Sequence, residues 1–215
     1  MARANFAHVL LIAGNHEHYD GVFDDTAGLL KRNLPSVTIL DNEHVEIDGI
    51  RFFGTTLWSN FEEGSEASMN AVRRRMGEFY FVKKRRVDAD GCESLAKFRP
   101  EDALEAFDAS WATLTNFVAA GERPTVVVSH HAPSLQGRNP RHAGNGLDGA
   151  YGSDLDARIS TLAQVPVWVH SHPIPLHHGS AEPGVDRRWV VADGAVRPHG
   201  VVVVPPGRQR GAGIS

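Results

Sequence analysis

The chain has 215 residues, of which 41% are hydrophobic and 22% charged, and its formal net charge is −4. That length suits one α/β domain with a real core, and the slight acidity gives no general attraction to nucleic acid or to an anionic membrane. The single cysteine, Cys92, excludes an internal disulfide and fits a reducing cytoplasm. Within Asp90-Gly91-Cys92 it reads as a loop residue rather than a catalytic thiol. No stretch nears the ~20 apolar residues that span a bilayer, and the run Val9-Leu10-Leu11-Ile12-Ala13 lacks the basic n-region of a signal peptide. The expected location is cytoplasmic, with no membrane partner.

In chain order, a first strand is predicted over 7–13, apolar nearly throughout as a strand buried on both faces should be. It runs into Gly14-Asn15-His16-Glu17. A helix is predicted over 22–34, with Leu29, Leu30 and Leu34 as its apolar face and Pro35 as its stop. Strands over 43–47 and 50–57 flank Asp48-Gly49, a strong two-residue hairpin signal. Residues 62–100 are polar and read as an excursion from the core. They carry two basic clusters, Arg73-Arg74-Arg75 and Lys83-Lys84-Arg85-Arg86, able in principle to grip phosphate or nucleic acid. The acids Glu78, Asp88 and Asp90 favour a solvated, self-neutralised insertion, so nucleic acid is not an expected partner. Phe79, Tyr80 and Phe81 are expected to pack this excursion onto the core rather than to stack on a base.

A long helix is predicted over 101–120, with Leu104, Phe107, Trp111, Leu114 and Val118 at helical spacing and Gly121 ending it. A second buried strand, 125–129, leads into His130-His131-Ala132-Pro133. After a Gly- and Asn-rich loop over 134–150 come a short helix over 154–164, capped by aspartate or serine, and a third buried strand over 165–169. That strand ends in His170-Ser171-His172-Pro173. Residues 188–192 and 201–204 look strand-like, and 205–215 are expected to be a disordered tail. The remainder, 1–204, reads as a single domain. His177 and His178 read as an exposed loop pair.

Three apolar strands thus each end in residues able to bind a metal. In open α/β sheets, sites form just beyond strand ends, where the backbone can aim side chains at a common point. Asn and His offer oxygen and imidazole nitrogen, a donor set suited to zinc, manganese or iron rather than calcium. A lone histidine at a strand end is more often a structural hydrogen bonder. The weight lies in the ordered set.

That set resembles the calcineurin-like metallophosphoesterases, whose ordered motifs are D-x-H, G-D, G-N-H-[D/E], a histidine after a strand, and G-H-x-H. Gly14-Asn15-His16-Glu17 matches the third motif, and Val128-Ser129-His130-His131-Ala132-Pro133 matches the fourth. The Asp48-Gly49 hairpin, Phe53-Gly54-Thr55-Thr56-Leu57-Trp58 and Ala150-Tyr151-Gly152-Ser153-Asp154-Leu155 look like the bacterial branch. The resemblance, over residues 7–172, implies two packed β-sheets flanked by helices, with the first strands of the fold missing here. Residues 7–13, 125–129 and 165–169 are expected to be its central strands, within one sheet.

The resemblance also implies an activity: hydrolysis of a small phosphomonoester or phosphodiester by a hydroxide activated by two divalent metal ions (Mn, Fe or Zn). Asn15, His130 and His172 would bind the second metal. His16 would protonate the leaving group or steady the transferring phosphoryl, and Glu17 would orient its neighbours. Two metals can acidify water and clamp phosphoryl oxygens, and an imidazole can act as a general acid near neutral pH.

The chain departs from the family pattern at both ends. The thirteen residues before Gly14 hold no aspartate, so D-x-H and the bridging aspartate of G-D are absent. Trp168-Val169-His170-Ser171-His172-Pro173-Ile174 aligns to the last motif in a register that makes His172 a ligand and leaves Ile174 in the place of the other. In an alternative register His170 and His172 form the pair. The Pro-, Gly-, Arg- and Val-rich sequence after Pro173 resembles translation in another reading frame. A non-catalytic remnant that binds a metal weakly or serves as an interaction module is the competing expectation.

Overall fold

A computed structural model of the chain describes residues 7–136 and 146–170, together with the backbone of two further strands at 188–191 and 200–204. It is a mixed α/β structure with several small sheets. Strand β1 (His8–Ile12) lies between β2 (Thr38–Ile39), parallel to it, and β10 (Gly200–Val204), antiparallel to it. A five-stranded sheet has the order β3-β4-β7-β8-β9, built from Glu43–Ile47, Ile50–Thr55, Thr125–Ser129, Val167–His170 and Arg188–Val191. Its β3–β4 pair is antiparallel and every other neighbour is parallel. The hairpin turn at Asp48-Gly49 has positive φ at both residues, 49° and 79°, the mirror-type turn whose twist suits two strands.

The two sheets meet face to face. Leu10 and Ile12 of β1, with Leu40, bury against Ile47, Phe52 and Val128. Strand side chains alternate faces, so Phe53 and Val127 point the other way, into the larger core against the helices. Gly54 lies at a close approach of the two sheets: a Cβ there would collide with Leu40 Cβ and with Ile12 Cγ2 at 2.8 Å. The three strands expected to be central do not share one sheet. β1 belongs to the smaller sheet because its edges are occupied by β2 and β10, while β7 and β8 pair directly in the larger one.

The larger core is closed by α5 (Pro100–Ala119), whose Phe107, Leu114 and Val118 are buried. Its carboxylate at Asp102 accepts the Arg99 backbone N–H at 2.8 Å, completing the first turn. Much of the supposed excursion joins this core. Met69 and Val72 of α3 (Glu66–Arg73), Met76, Phe79 of α4 (Glu78–Phe81), Val82 and Phe98 all belong to it. The polar average over 62–100 hides apolar residues at helical and turn positions. Only the hairpin of β5 (Lys83–Val87) and β6 (Glu93–Lys97) forms a sheet of its own. Phe79 packs inward, whereas Tyr80 and Phe81 stay about half exposed, at 48% and 52%.

Two predicted helices are shorter than their patterns. α1 spans Thr26–Asn33 after a 3-10 turn at Phe23–Asp25, and Leu29 and Leu34 are exposed rather than forming a buried face. Near 154–164 only α7 (Asp156–Ser160) is helical, without a side-chain cap. The Ser153 hydroxyl instead accepts the Asn60 backbone N–H at 2.9 Å. The basic clusters are answered by acids of the same chain: Arg73 by Glu101, Arg85 by Asp25 and Glu93, Arg86 by Asp102. Cys92 is exposed. No helix among the described residues is long and apolar enough to cross a membrane. Residues 205–215, His177 and His178 lie outside the described residues.

Candidate functional site

The ends of β1, β4 and β7 come together on one side of the sheet pair. Thr55 and Ser129 are register partners, so β4 and β7 finish level. The Thr56 hydroxyl donates to the Ala13 carbonyl at 2.8 Å, fastening the end of β4 to the end of β1 across the two sheets. Beyond these ends the chain turns sharply on both sides. Residues 15–18 form a 3-10 helix, and the Glu17 carboxylate accepts the Gly14 backbone N–H at 2.7 Å, holding its entry.

Asn15 and His130 meet here although 115 positions separate them. The His130 Nε2 lies 2.9 Å from the Asn15 Oδ1, and both residues are buried. As a hydrogen bond this requires Nε2–H as donor, since a carboxamide oxygen only accepts. Two donor atoms bound at right angles to one ion by bonds of ~2.1 Å would be about 3 Å apart. The pair therefore has the separation of two ligands on one metal, and an ion would take the place of the Nε2 proton. Among the described residues, however, no three His, Cys, Asp or Glu side chains cluster closely enough to hold a metal. The fit is that of two protein donors, one amide oxygen and one imidazole nitrogen.

The other predicted residues divide. His16 is exposed and its ring packs against Tyr19, with centroids 4.5 Å apart. His131 turns away into the core, stacked on Trp58 at 5.3 Å, with its Nδ1 donating to the Thr56 carbonyl at 3.3 Å. The first histidine of that pair is thus the one that meets Asn15. His170, the last residue of β8, is the register partner of Ser129. It is buried, its Nδ1 has no partner among the described residues, and desolvation holds its pKa down at about 4. Neutral, it keeps the capacity to bind through nitrogen. His172 lies outside the described residues, as does Ile174.

Two groups escaped the sequence reading. Glu78, the first residue of α4, was grouped with the acids that neutralise the basic clusters, yet it is 2% exposed and faces the site. Its carboxylate accepts from the Tyr19 hydroxyl at 3.4 Å. Burial pushes its carboxyl up, while hydrogen bonds from its own backbone, Asn15 and Tyr19, and the charge of His16, pull it partly back. An acid embedded in Gly77-Glu78-Phe79-Tyr80-Phe81 is the signal that could have found it. His18 is the other, buried between Phe23 and Trp58.

Fold and site together define a class: a mixed α/β chain that joins a carboxamide and an imidazole at its strand ends. No family model matches the chain, and no solved structure matches it. Similarity is found to an uncharacterized protein of Acanthamoeba polyphaga mimivirus, 29% identical over 133 residues. The match covers 58% of this chain and 45% of that protein, so the chain spans less than half of its relative's length.

Proposed function

We propose that the chain is a metal-dependent phosphoesterase of calcineurin-like fold, hydrolysing a small phosphomonoester or phosphodiester. The observation that carries this is the buried meeting of Asn15 Oδ1 and His130 Nε2 at 2.9 Å, each at the end of a buried strand from a different sheet. Asn15 and His130 would hold one divalent ion (Mn, Fe or Zn), joined by His170 or by His172. Bound metal would supply Lewis-acid charge to the phosphoryl oxygens and acidify the attacking water. His16, exposed beside the pair, would give a proton to the leaving oxygen or hydrogen-bond the transferring phosphoryl. Glu17 holds the turn that presents both Asn15 and His16.

The test is hydrolysis of an aryl phosphate by the purified chain with Mn²⁺. Support requires turnover that chelation abolishes and that Asn15→Ala and His130→Ala each reduce. Turnover indifferent to chelation and to both substitutions would remove the reading. A second reading, a non-catalytic module with a weak metal site, is favoured by one observation: the described residues offer two converging donors and no carboxylate cluster. Mn²⁺ binding without turnover would select it.

A further inference from the structure

Three rings form a run that starts at the site. His16, the residue after Asn15, packs on Tyr19 with centroids 4.5 Å apart, and Tyr19 packs on Phe81 at 5.5 Å. His16 is exposed, Tyr19 is partly buried and Phe81 is about half exposed. The run is fixed by bonds between its two segments. The Asp20 N–H donates to the Phe81 carbonyl at 3.0 Å, and the Lys83 N–H donates to the Gly21 carbonyl at 3.0 Å. The Tyr19 hydroxyl donates to the Glu78 carboxyl at 3.4 Å. Gly77 lets the turn close on that tyrosine, since a Cβ there would lie 2.6 Å from its oxygen. Tyr80, exposed to a similar degree, is engaged elsewhere: its hydroxyl donates to the Arg74 carbonyl at 2.9 Å, and the Lys97 ammonium lies 5.3 Å from its ring centroid.

A single exposed apolar residue needs no explanation. Phe81 differs because its ring is held in register with the imidazole that would protonate the leaving oxygen. In that reaction water bonds to phosphorus, the P–O bond breaks, and its oxygen takes the His16 proton. Whatever that oxygen carries must emerge on the His16 side, where the run begins. Aromatic faces there favour another flat ring, stacked at ~4.5–7 Å between centroids. We propose that Tyr19 and Phe81 form the surface on which the leaving group stacks, so that the preferred phosphoester carries a flat aromatic ring, a nucleobase or an aryl group, on its leaving oxygen. The proposal rests on the reading of His16 as the leaving-group donor. It also gives Phe81 a role other than the core packing expected of it.

Adenosine 5′-monophosphate and ribose 5-phosphate present the same primary alkyl phosphate and differ in the base, so comparing them isolates the ring from leaving-group reactivity. Phe81→Leu keeps an apolar side chain and removes the aromatic face. With Mn²⁺ it should lower kcat/KM for the nucleotide by ~5- to 100-fold and leave ribose 5-phosphate unchanged. Tyr80→Leu should leave both unchanged. Phenyl phosphate separates the two sources of the ring: a loss in Phe81→Leu for it alone assigns an aryl group, and a loss for the nucleotide alone assigns a nucleobase. Calorimetric titration with the same three compounds reads the surface without turnover. If nothing is hydrolysed but Phe81→Leu weakens binding of a ring-bearing compound and not of ribose 5-phosphate, the hydrolytic reading fails and the stacking surface stands. A Phe81→Leu that affects no ring-bearing compound more than ribose 5-phosphate, or no more than Tyr80→Leu does, overturns the proposal.

Discussion

A Cβ placed on Gly14 would lie 2.7 Å from both Cε1 and Nδ1 of His130. Real Cβ atoms do not tolerate that distance, so any larger residue at 14 must displace the imidazole. Gly14 is therefore needed for close approach, since its own φ of −91° is open to any residue.

Gly14→Ala should break the Asn15–His130 pair and lower stability by ~1–3 kcal/mol, as overpacking of a well-filled interior does. Urea unfolding gives the stability, and MnCl₂ titration reads the site. Wild-type values in both would mean that His130 yields without consequence.

His16→Ala should leave stability within ~0.5 kcal/mol, because the side chain is exposed. It should reduce Mn²⁺-dependent aryl phosphate turnover by ~10²- to 10⁴-fold, the usual loss when a positioned proton donor is removed. An unchanged rate would take His16 out of the chemistry.

His18 predicts an acid weakness of the fold. The Thr26 hydroxyl donates to the Val22 carbonyl at 3.2 Å, so it accepts from His18 Nδ1, 2.9 Å away, and leaves Nε2 as a buried lone pair with no partner among the described residues. Desolvation holds this imidazole at about 4 against a smaller opposing effect of Asp24. The folded value lies below the unfolded 6.5, so the unfolded chain takes up the proton first as pH falls. The contribution is complete above about pH 6.5 and is lost as pH falls through about 4, amounting to about 3 kcal/mol at ~1.4 kcal/mol per unit. Urea midpoints at pH 7, 5.5 and 4 should fall less steeply in His18→Phe. Equal slopes would assign the acid sensitivity elsewhere.

Asp102 ties the β5–β6 hairpin to the start of α5. It receives Arg86 through two contacts of 2.7 and 2.5 Å and the Arg99 N–H at 2.8 Å. The carboxylate is buried while the arginine is about one-third exposed, so solvent screens part of the pair. Asp102→Ala should lower stability by about 2–3 kcal/mol through the lost cap and the stranded guanidinium. Adding Arg86→Met should destabilise by much less than its separate effect. Simple additivity of the two would show that they do not interact.

The sequence carried some of this structure and not the rest. Thr125–Ser129 and Asp48-Gly49 were legible because an unbroken apolar run and a left-handed dipeptide are local signals. The long helix was legible from its repeat, and Asn15 and His130 from their places after strands. The sheet containing β1 was not legible, since its neighbours are Thr38–Ile39 and a strand near the C-terminus, fixed only by long-range pairing. Glu78 was read by its charge, when what matters is that the neighbouring Phe79 packs into the core and takes it inward. Leu29 and Leu34 show the reverse error: helical spacing without a surface to cover them.

The bond from Thr56 to Ala13 closes a loop of 43 residues, and Asn15 and His130 close one of 115. Both closures depend on the smaller sheet docking through Leu10, Ile12 and Leu40 onto Phe52 and Val128. Such long closures form late in folding and open early. A molecule whose first strand has let go keeps its larger core intact but holds only half of the donor pair. Amide exchange along β1 would then time the lifetime of the assembled site, independently of the global unfolding of the chain.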